Sequence, residues 1–167
     1  MHRALALNSK REHDAAIADY DRAIQIAPDY ADAYINRSLA RSSKRHLNGA
    51  IADCDKAIAL EPGNARAYAV RGMARYDQGK LNEAIIDCNK AIEINPALAV
   101  AYASRGAAKL RLGGDGEAQE DFEKARKLDE TMGAGLEQWI KDIKRGQKPG
   151  WAERLFHRVT NSRRSTS

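Results

Sequence analysis

Charged side chains recur at a fixed spacing along the chain and are the first candidates for chemistry. A row of guanidinium groups is able to bind an acidic ligand. The same groups are also able to pair with carboxylates while their stems pack between helices. The arginines occupy equivalent positions at one fixed spacing, and so do the aspartates, and we call each such set of positions a column. Because the arginine and aspartate columns recur with the same spacing, we favour structural pairing. The arginines are Arg37, Arg71 and Arg105, and the aspartates are Asp19, Asp53, Asp87 and Asp121.

Other chemistries are not indicated by the sequence. The four histidines are scattered without metal-ligand spacing. The segment 113–116, Gly-Gly-Asp-Gly, lacks the Lys-Ser/Thr of a phosphate loop and is interpreted as a turn between helices. Cys54 and Cys88 are predicted to be buried free thiols, because equivalent positions of adjacent units lie too far apart for a disulfide. We therefore predict no enzyme, no catalytic residue, no metal and no cofactor.

Composition favours a helical protein without a membrane span. Of the 167 residues, 43% are hydrophobic, 31% are charged and only 6% are aromatic. There is no apolar run long enough to cross a membrane and no signal peptide pattern. Two cysteines are typical of a reducing compartment, so we expect the cytoplasm.

An internal repeat of 34 residues organises these side chains. One unit, residues 65–98, has the pattern helix, short turn, helix, and Pro96 ends the second helix. Asn82 is predicted to cap that second helix. Small residues at positions 38, 72 and 106 allow two helices to approach closely. The clearest repeating columns are Pro28, Pro62 and Pro96, then Tyr34, Tyr68 and Tyr102, then Ala50, Ala84 and Ala118.

The pattern resembles the tetratricopeptide repeat (TPR) family. That signature has an aromatic residue early in the first helix, a Gly four residues later, then Ala, an aromatic residue, Ala and Pro. Residues 67–96 carry it most completely, and the resemblance covers about residues 1–132. The chain departs from the family where Arg replaces the Leu before the Gly, and where Cys54 and Cys88 replace the second-helix aromatic residue.

The resemblance implies an all-α, right-handed superhelical solenoid of antiparallel helix pairs with a C-terminal capping helix. The repeat register makes the first unit partial, so we expect that the natural protein begins upstream or that the array starts with a frayed cap. The predicted segments are a partial repeat at 1–30, repeats at 31–64, 65–98 and 99–132, a capping helix at 133–148, and a basic amphipathic helix with its tail at 149–167.

The resemblance also implies a groove, lined by the first helices, that binds a peptide or a helix. Its predicted floor is mostly apolar, with a few polar and charged groups. The predicted groove residues are Ile35, Asn36, Leu39, Arg66, Ala69, Val70, Met73, Asp77, Ala103, Ser104, Ala107 and Arg111.

Family members that clamp the C-terminal carboxylate of heat-shock chaperones use a constellation of Lys or Asn, Asn, and Lys or Arg across three units. Asn36 and Arg66 match two of those positions. Met1, Leu5 and Val70 occupy the others and supply neither a charge nor an amide. We therefore predict a protein or peptide ligand other than that carboxylate.

The net charge of +5 belongs to the C-terminal end. Residues 141–167 hold eight Lys and Arg against two acidic residues, so this segment carries +6. This leaves alternatives to the groove open: self-association through the C-terminal helix, or binding of the basic segment to nucleic acid or an anionic membrane with the repeats as a spacer. The predicted interaction residues there are Trp151, Arg154, Leu155, Phe156, Arg158 and Val159.

Overall fold

The described part of the protein is built from helices joined by short turns. The computed structural model describes residues 2–146, and side chains from Glu12 onward. No strand occurs within residues 2–146, and no helix there is long and apolar enough to cross a membrane. The helices are α1 (His2–Ile26), α2 (Ala31–Ser43), α3 (Leu47–Leu60), α4 (Ala65–Gln78), α5 (Leu81–Ile94), α6 (Ala99–Arg111), α7 (Asp115–Leu128) and α8 (Gly133–Lys144), with a 3-10 turn at Glu130–Met132 before α8.

The helices fall into two compact units. Unit 1 contains α1–α3 and its described part ends at Pro62, and unit 2 contains α4–α8 and begins at Gly63. In unit 1, α2 packs against both α1 and α3. In unit 2, α4 pairs with α5 and α6 with α7, while α6 also contacts α5 and α4. The first helices α4 and α6 are therefore neighbours within unit 2.

The turn inside each complete pair uses one residue with positive φ. Gly79 (φ 84°) and Gly113 (φ 85°) occupy this position in unit 2, where glycine carries no steric penalty. In unit 1 the equivalent residue is Arg45, with φ 63°. Gly113 and Gly114 thus form the turn between α6 and α7, and Asp115 and Gly116 begin α7, which confirms the interpretation of this segment as a connection between helices.

One helix start differs from the sequence prediction. Asn82 does not cap α5, because the helix already begins at Leu81 and its N-cap residue is Lys80. A side-chain cap occurs instead at α4, where Asn64 Oδ1 accepts a hydrogen bond from the Ala67 amide at 3.2 Å. Asn64 stands directly before its helix, whereas Asn82 lies within one.

The first repeat is a single helix in the described structure. By the 34-residue register, a turn like that at Arg45 would fall at residue 11, but α1 continues through this point. The local sequence Lys10-Arg11-Glu12 contains neither Gly nor Pro and consists of good helix formers. Nothing in these residues breaks the helix, so α1 forms one continuous element.

Small residues bring the paired helices together, as the sequence predicts. A Cβ atom on Gly72 would lie 3.1 Å from the Ala84 carbonyl oxygen and 3.1 Å from Cys88 Sγ. A Cβ atom on Gly106 would lie 2.8 Å from the Phe122 ring. These contacts fix the separation of the two helices in each pair of unit 2.

Candidate functional site

The arginine and aspartate columns form buried ion pairs between the helices of each pair. Arg71 Nε and Nη2 donate to the two carboxylate oxygens of Asp87 at 3.0 and 2.7 Å. The same bidentate geometry occurs at Arg37–Asp53, with 3.0 and 2.6 Å, and at Arg105–Asp121, with 2.9 and 2.5 Å. Structural pairing is therefore confirmed for these three aspartates, whereas Asp19 is exposed and lies 3.7 Å from Arg22 on its own helix.

A second basic residue completes each ion pair. Arg41 Nη1 lies 2.8 Å from Asp53 Oδ2, Arg75 Nη1 lies 2.8 Å from Asp87 Oδ2, and Lys109 Nζ lies 3.2 Å from Asp121 Oδ2. The sequence analysis missed this column, although it stands four residues after the first arginine in every unit and thus one helical turn away on the same face. Each carboxylate is held by two cations.

The guanidinium groups of the first column also stack on aromatic rings. The Arg37, Arg71 and Arg105 guanidinium carbons lie 5.5, 5.4 and 5.5 Å from the ring centroids of Tyr34, Tyr68 and Tyr102, respectively. Hydrogen bonds to Asp53 and Asp121 raise the pKa of Arg37 and Arg105 above the ordinary value, with burial opposing the shift. These arginines are committed to packing within the protein.

The remaining reactive groups do not form a reaction centre in the described residues. Cys54 and Cys88 are buried free thiols, as the sequence predicts. Burial raises the pKa of the Cys88 thiol, which keeps it protonated and unreactive. Within residues 12–146, no group of three or more His, Cys, Asp or Glu residues is arranged to hold a metal ion.

The structure places most of the predicted groove residues in the interior. On α2, Ile35, Asn36 and Leu39 are buried. Six residues on α4 and α6 are also buried, whereas Arg66 and Asp77 are half-buried and Arg111 is exposed. The sequence leads one to expect an open floor, but the described side chains are covered. The six buried residues of unit 2 are Ala69, Val70, Met73, Ala103, Ser104 and Ala107.

In unit 2, helix α8 lies on the first-helix side. It packs on α6, and its Trp139 makes an edge-to-face contact with Tyr76 of α4, with centroids 5.9 Å apart and an interplanar angle of 89°. Arg111 stands 5.0 Å above the Tyr76 ring, and its Nη1 donates to the Tyr76 carbonyl oxygen at 3.2 Å. Burial raises the pKa of Tyr76, with Arg111 opposing the shift. We call Tyr76, Arg111 and Trp139 the aromatic cluster.

The aromatic cluster is only partly visible in the sequence. Arg111 is among the predicted groove residues, but Tyr76 and Trp139 are not. Tyr76 has a usable signal, since Ser42 and Leu110 stand at the equivalent positions and an aromatic ring occurs there in one unit alone. Trp139 lies beyond the last complete unit and has no repeat partner to indicate its place.

The predicted C-terminal interaction residues lie outside the described residues. This concerns the whole of segment 149–167 and, within it, Trp151, Arg154, Leu155, Phe156, Arg158 and Val159.

Comparison with protein families gives three matches to models of one repeat. A TPR repeat model matches residues 4–42, and two Tetratricopeptide repeat models match residues 31–64 and 65–98. Together they extend from residue 4 to residue 98, more than half of the chain. No curated protein matches the chain.

Solved structures of similar fold include three that illustrate the range of likeness. The crystal structure of MamA protein is 29% identical, covering 73% of this chain and 67% of that chain, with a TM-score of 0.60. The protein TTC0263 of Thermus thermophilus is 20% identical, covering 86% and 80%, with a TM-score of 0.71. The TPR2B domain of yeast Sti1, solved as a pHsp70 complex, is 24% identical, covering 70% and 98%, with a TM-score of 0.61. The likeness to the latter two structures shows the fold alone, and it confirms the predicted all-α class of helix pairs.

Proposed function

Because the chain belongs to the tetratricopeptide repeat family, a family of protein-interaction scaffolds, we propose that it is a non-catalytic adaptor whose first helices bind a peptide or a helix of another protein. The binding residues in unit 2 are those of α4 and α6, with Arg66, Asp77 and Arg111 at the rim. In unit 1 they are Ile35, Asn36 and Leu39 of α2.

One observation carries this proposal: repeating columns and varying columns have different tasks. The columns that repeat without change, such as the aspartates of the ion pairs, join the two helices of each unit. Of three columns on the first helices, one changes between polar and apolar residues, and the other two stay apolar while the size of the side chain changes. A change between polar and apolar residues at equivalent positions of the first helices supports recognition of a specific partner. These columns are Ile35, Ala69 and Ala103, then Asn36, Val70 and Ser104, then Leu39, Met73 and Ala107.

The fold is compatible with peptide binding, as the Sti1 domain in its pHsp70 complex illustrates for that protein. The ligand of the present chain is expected to differ from a chaperone carboxylate. Only Asn36 and Arg66 match the clamp, and Val70 stands where a polar group is needed. The mostly apolar side chains of α4 and α6 favour an apolar or amphipathic segment instead.

Affinity capture from a lysate of the source organism tests the proposal. The full chain is compared with an Arg66→Glu/Arg111→Glu variant, which reverses two charges at the rim. We expect at least tenfold less partner on this variant, because both arginines stand at the rim of the proposed binding face.

A Lys124→Glu/Lys127→Glu variant is the matched control. Both lysines are exposed on α7, which is the second helix of its pair. The control changes the net charge by the same amount as Arg66→Glu/Arg111→Glu. Equal loss of partner in the control would overturn the proposal. Capture of nucleic acid or lipid that is lost at high salt would favour the basic C-terminal segment instead.

A further inference from the structure

Helix α8 occupies the first-helix side of unit 2 through two side chains. Leu136 and Trp139 are the buried residues of its twelve, with exposed fractions of 2% and 6%. They stand three residues apart and therefore on one face of the helix. Trp139 makes the edge-to-face contact with Tyr76, whose ring is also contacted by Arg111. This is the geometry of an amphipathic helix lying on a receptor surface, here within one chain.

The start of α8 is intrinsically weak. Gly133 and Gly135 lie in its first turn, where glycine is a poor helix former. Neither has a positive φ, and a Cβ atom on either would meet nothing within 4 Å, so packing does not require glycine there. No side chain caps the helix N-terminus, and its first turn contains no acidic residue.

The connections of α8 to the second helices are also slight. Glu137 lies 3.9 Å from Arg126 of α7, and both side chains are substantially exposed. Such a pair contributes little to stability. The attachment of α8 therefore depends on one face, where Leu136 and Trp139 are buried and Ile140 and Ile143 are half-buried, and this narrow contact favours release of the helix as a whole.

We propose that α8 is a reversible cover of unit 2, and that the partner is an amphipathic helix that places an aromatic side chain where Trp139 lies. The proposal rests on the proposed function, because it names the kind of partner and its control. A partner must compete with a tethered helix at high effective concentration. Its apparent affinity is reduced by the small fraction of open molecules.

A peptide that copies residues 130–146 provides a defined probe. It is labelled with fluorescein and added to the native full chain and to a Trp139→Ala full chain, and binding is followed by anisotropy. We expect the Trp139→Ala chain to bind at least tenfold more tightly, because its own α8 no longer fills the aromatic cluster. The same peptide with Ala in place of Trp is expected to lose this binding.

Two further variants make the result specific. Trp139→Phe keeps an aromatic ring and is expected to behave like the native chain. Gly133→Ala/Gly135→Ala strengthens the first turn of α8 and is expected to weaken peptide binding below the native level. Equal binding of the peptide by all four chains would overturn the proposal. Equal binding of the native peptide and of the peptide with Ala in place of Trp would also overturn it.

Hydrogen exchange of the native chain gives a second readout that does not depend on any substitution in the cluster. Amides of α8 are expected to exchange at least tenfold faster than those of α4 and α6, and to slow in the double alanine variant. Protection of α8 equal to that of α6 would contradict a reversible cover. Because both probes come from the chain itself, failure to capture an outside partner would count against the adaptor function and not against the cover.

Discussion

Buried carboxylates hold the two helices of each pair together. Asp87 has a side chain only 2% exposed, and it accepts hydrogen bonds from Arg71 and Arg75. A buried carboxylate of this kind is tolerated because its charge is matched at short range. The arginine column is thereby explained by stability and needs no acidic ligand.

Asp87→Asn should lower the free energy of unfolding by about 3 kcal/mol, because it leaves two largely buried guanidinium groups without their charge partner. Denaturant unfolding followed by circular dichroism measures the loss. Glu83→Gln is the control, since Glu83 lies 3.5 Å from Arg75 but is 49% exposed, and it should change stability by less than about 0.5 kcal/mol. Equal effects of the two substitutions would refute the ion pair as the source of stability.

The buried thiol of Cys88 makes stability depend on alkaline pH. Burial raises the pKa of this thiol in the folded protein, whereas an unfolded thiol titrates near pH ~8.5. Above that pH the unfolded state binds fewer protons than the folded state, so the free energy of unfolding falls as pH rises. Between about pH 8.5 and 10.5 the native chain should lose about 2 kcal/mol more than Cys88→Ala.

Unfolding curves of both proteins at several pH values check this difference. The alanine variant has a constant packing loss, which cancels when the slopes are compared. Parallel slopes for the two proteins would show that the Cys88 thiol titrates equally in the folded and unfolded states.

Residue roles could be predicted where two columns share one period. The pairing of Arg71 with Asp87 follows from their joint recurrence and the reach of arginine. The hydrogen bond from Arg75 to Asp87 was not predicted, because the repeat alone does not indicate which neighbouring group a long side chain contacts. The wrong assignment of Asn82 as a cap arose because helix starts shift by a residue or two without changing the repeat.

At the scale of helices, close approach at glycine sets the spacing of each pair. Gly106→Ala should destabilise the protein by about 1–3 kcal/mol, because the new Cβ would lie 2.8 Å from the Phe122 ring and 3.1 Å from the Ala118 carbonyl oxygen. Thermal unfolding followed by circular dichroism measures the effect.

Gly116→Ala is the matched control for this prediction. Gly116 lies in the first turn of α7, and a Cβ atom there would meet nothing within 4 Å. It should stabilise the protein, by up to about 1 kcal/mol, through helix propensity alone. A Gly106→Ala protein as stable as the Gly116→Ala protein would argue against close helix contact.

The helices themselves are largely predictable, and their exceptions have local causes. The helix pairs follow from the 34-residue period and the turns at Gly79 and Gly113. The continuous helix α1 departs from the period because residues 10–12 contain no helix breaker. The position of α8 on α6 could not be predicted, since Trp139 stands outside the repeats and its contact with Tyr76 is made over 63 residues of sequence.

At the scale of the whole molecule, the repeat identifies a scaffold but not its ligand. The candidate binding residues could be named from the sequence because equivalent positions recur on each first helix. Their burial could not be predicted, because it depends on how neighbouring helices pack around them, as for Ala69, which lies in a cluster with Ala91 of α5 and Ala101 of α6. The structure therefore replaces the expected open floor with side chains that are mostly buried.

The most direct test of the adaptor function is a photo-crosslinking map on the full chain. A benzophenone amino acid is placed in turn at Asp77 and Arg111 on first helices, and at Ile86 and Lys124, which are exposed on second helices. The protein is then irradiated with its captured partner. We predict crosslinks from Asp77 and Arg111 and none from the other two positions. Crosslinks from Ile86 or Lys124 alone, with the partner still bound, would contradict binding along the first helices.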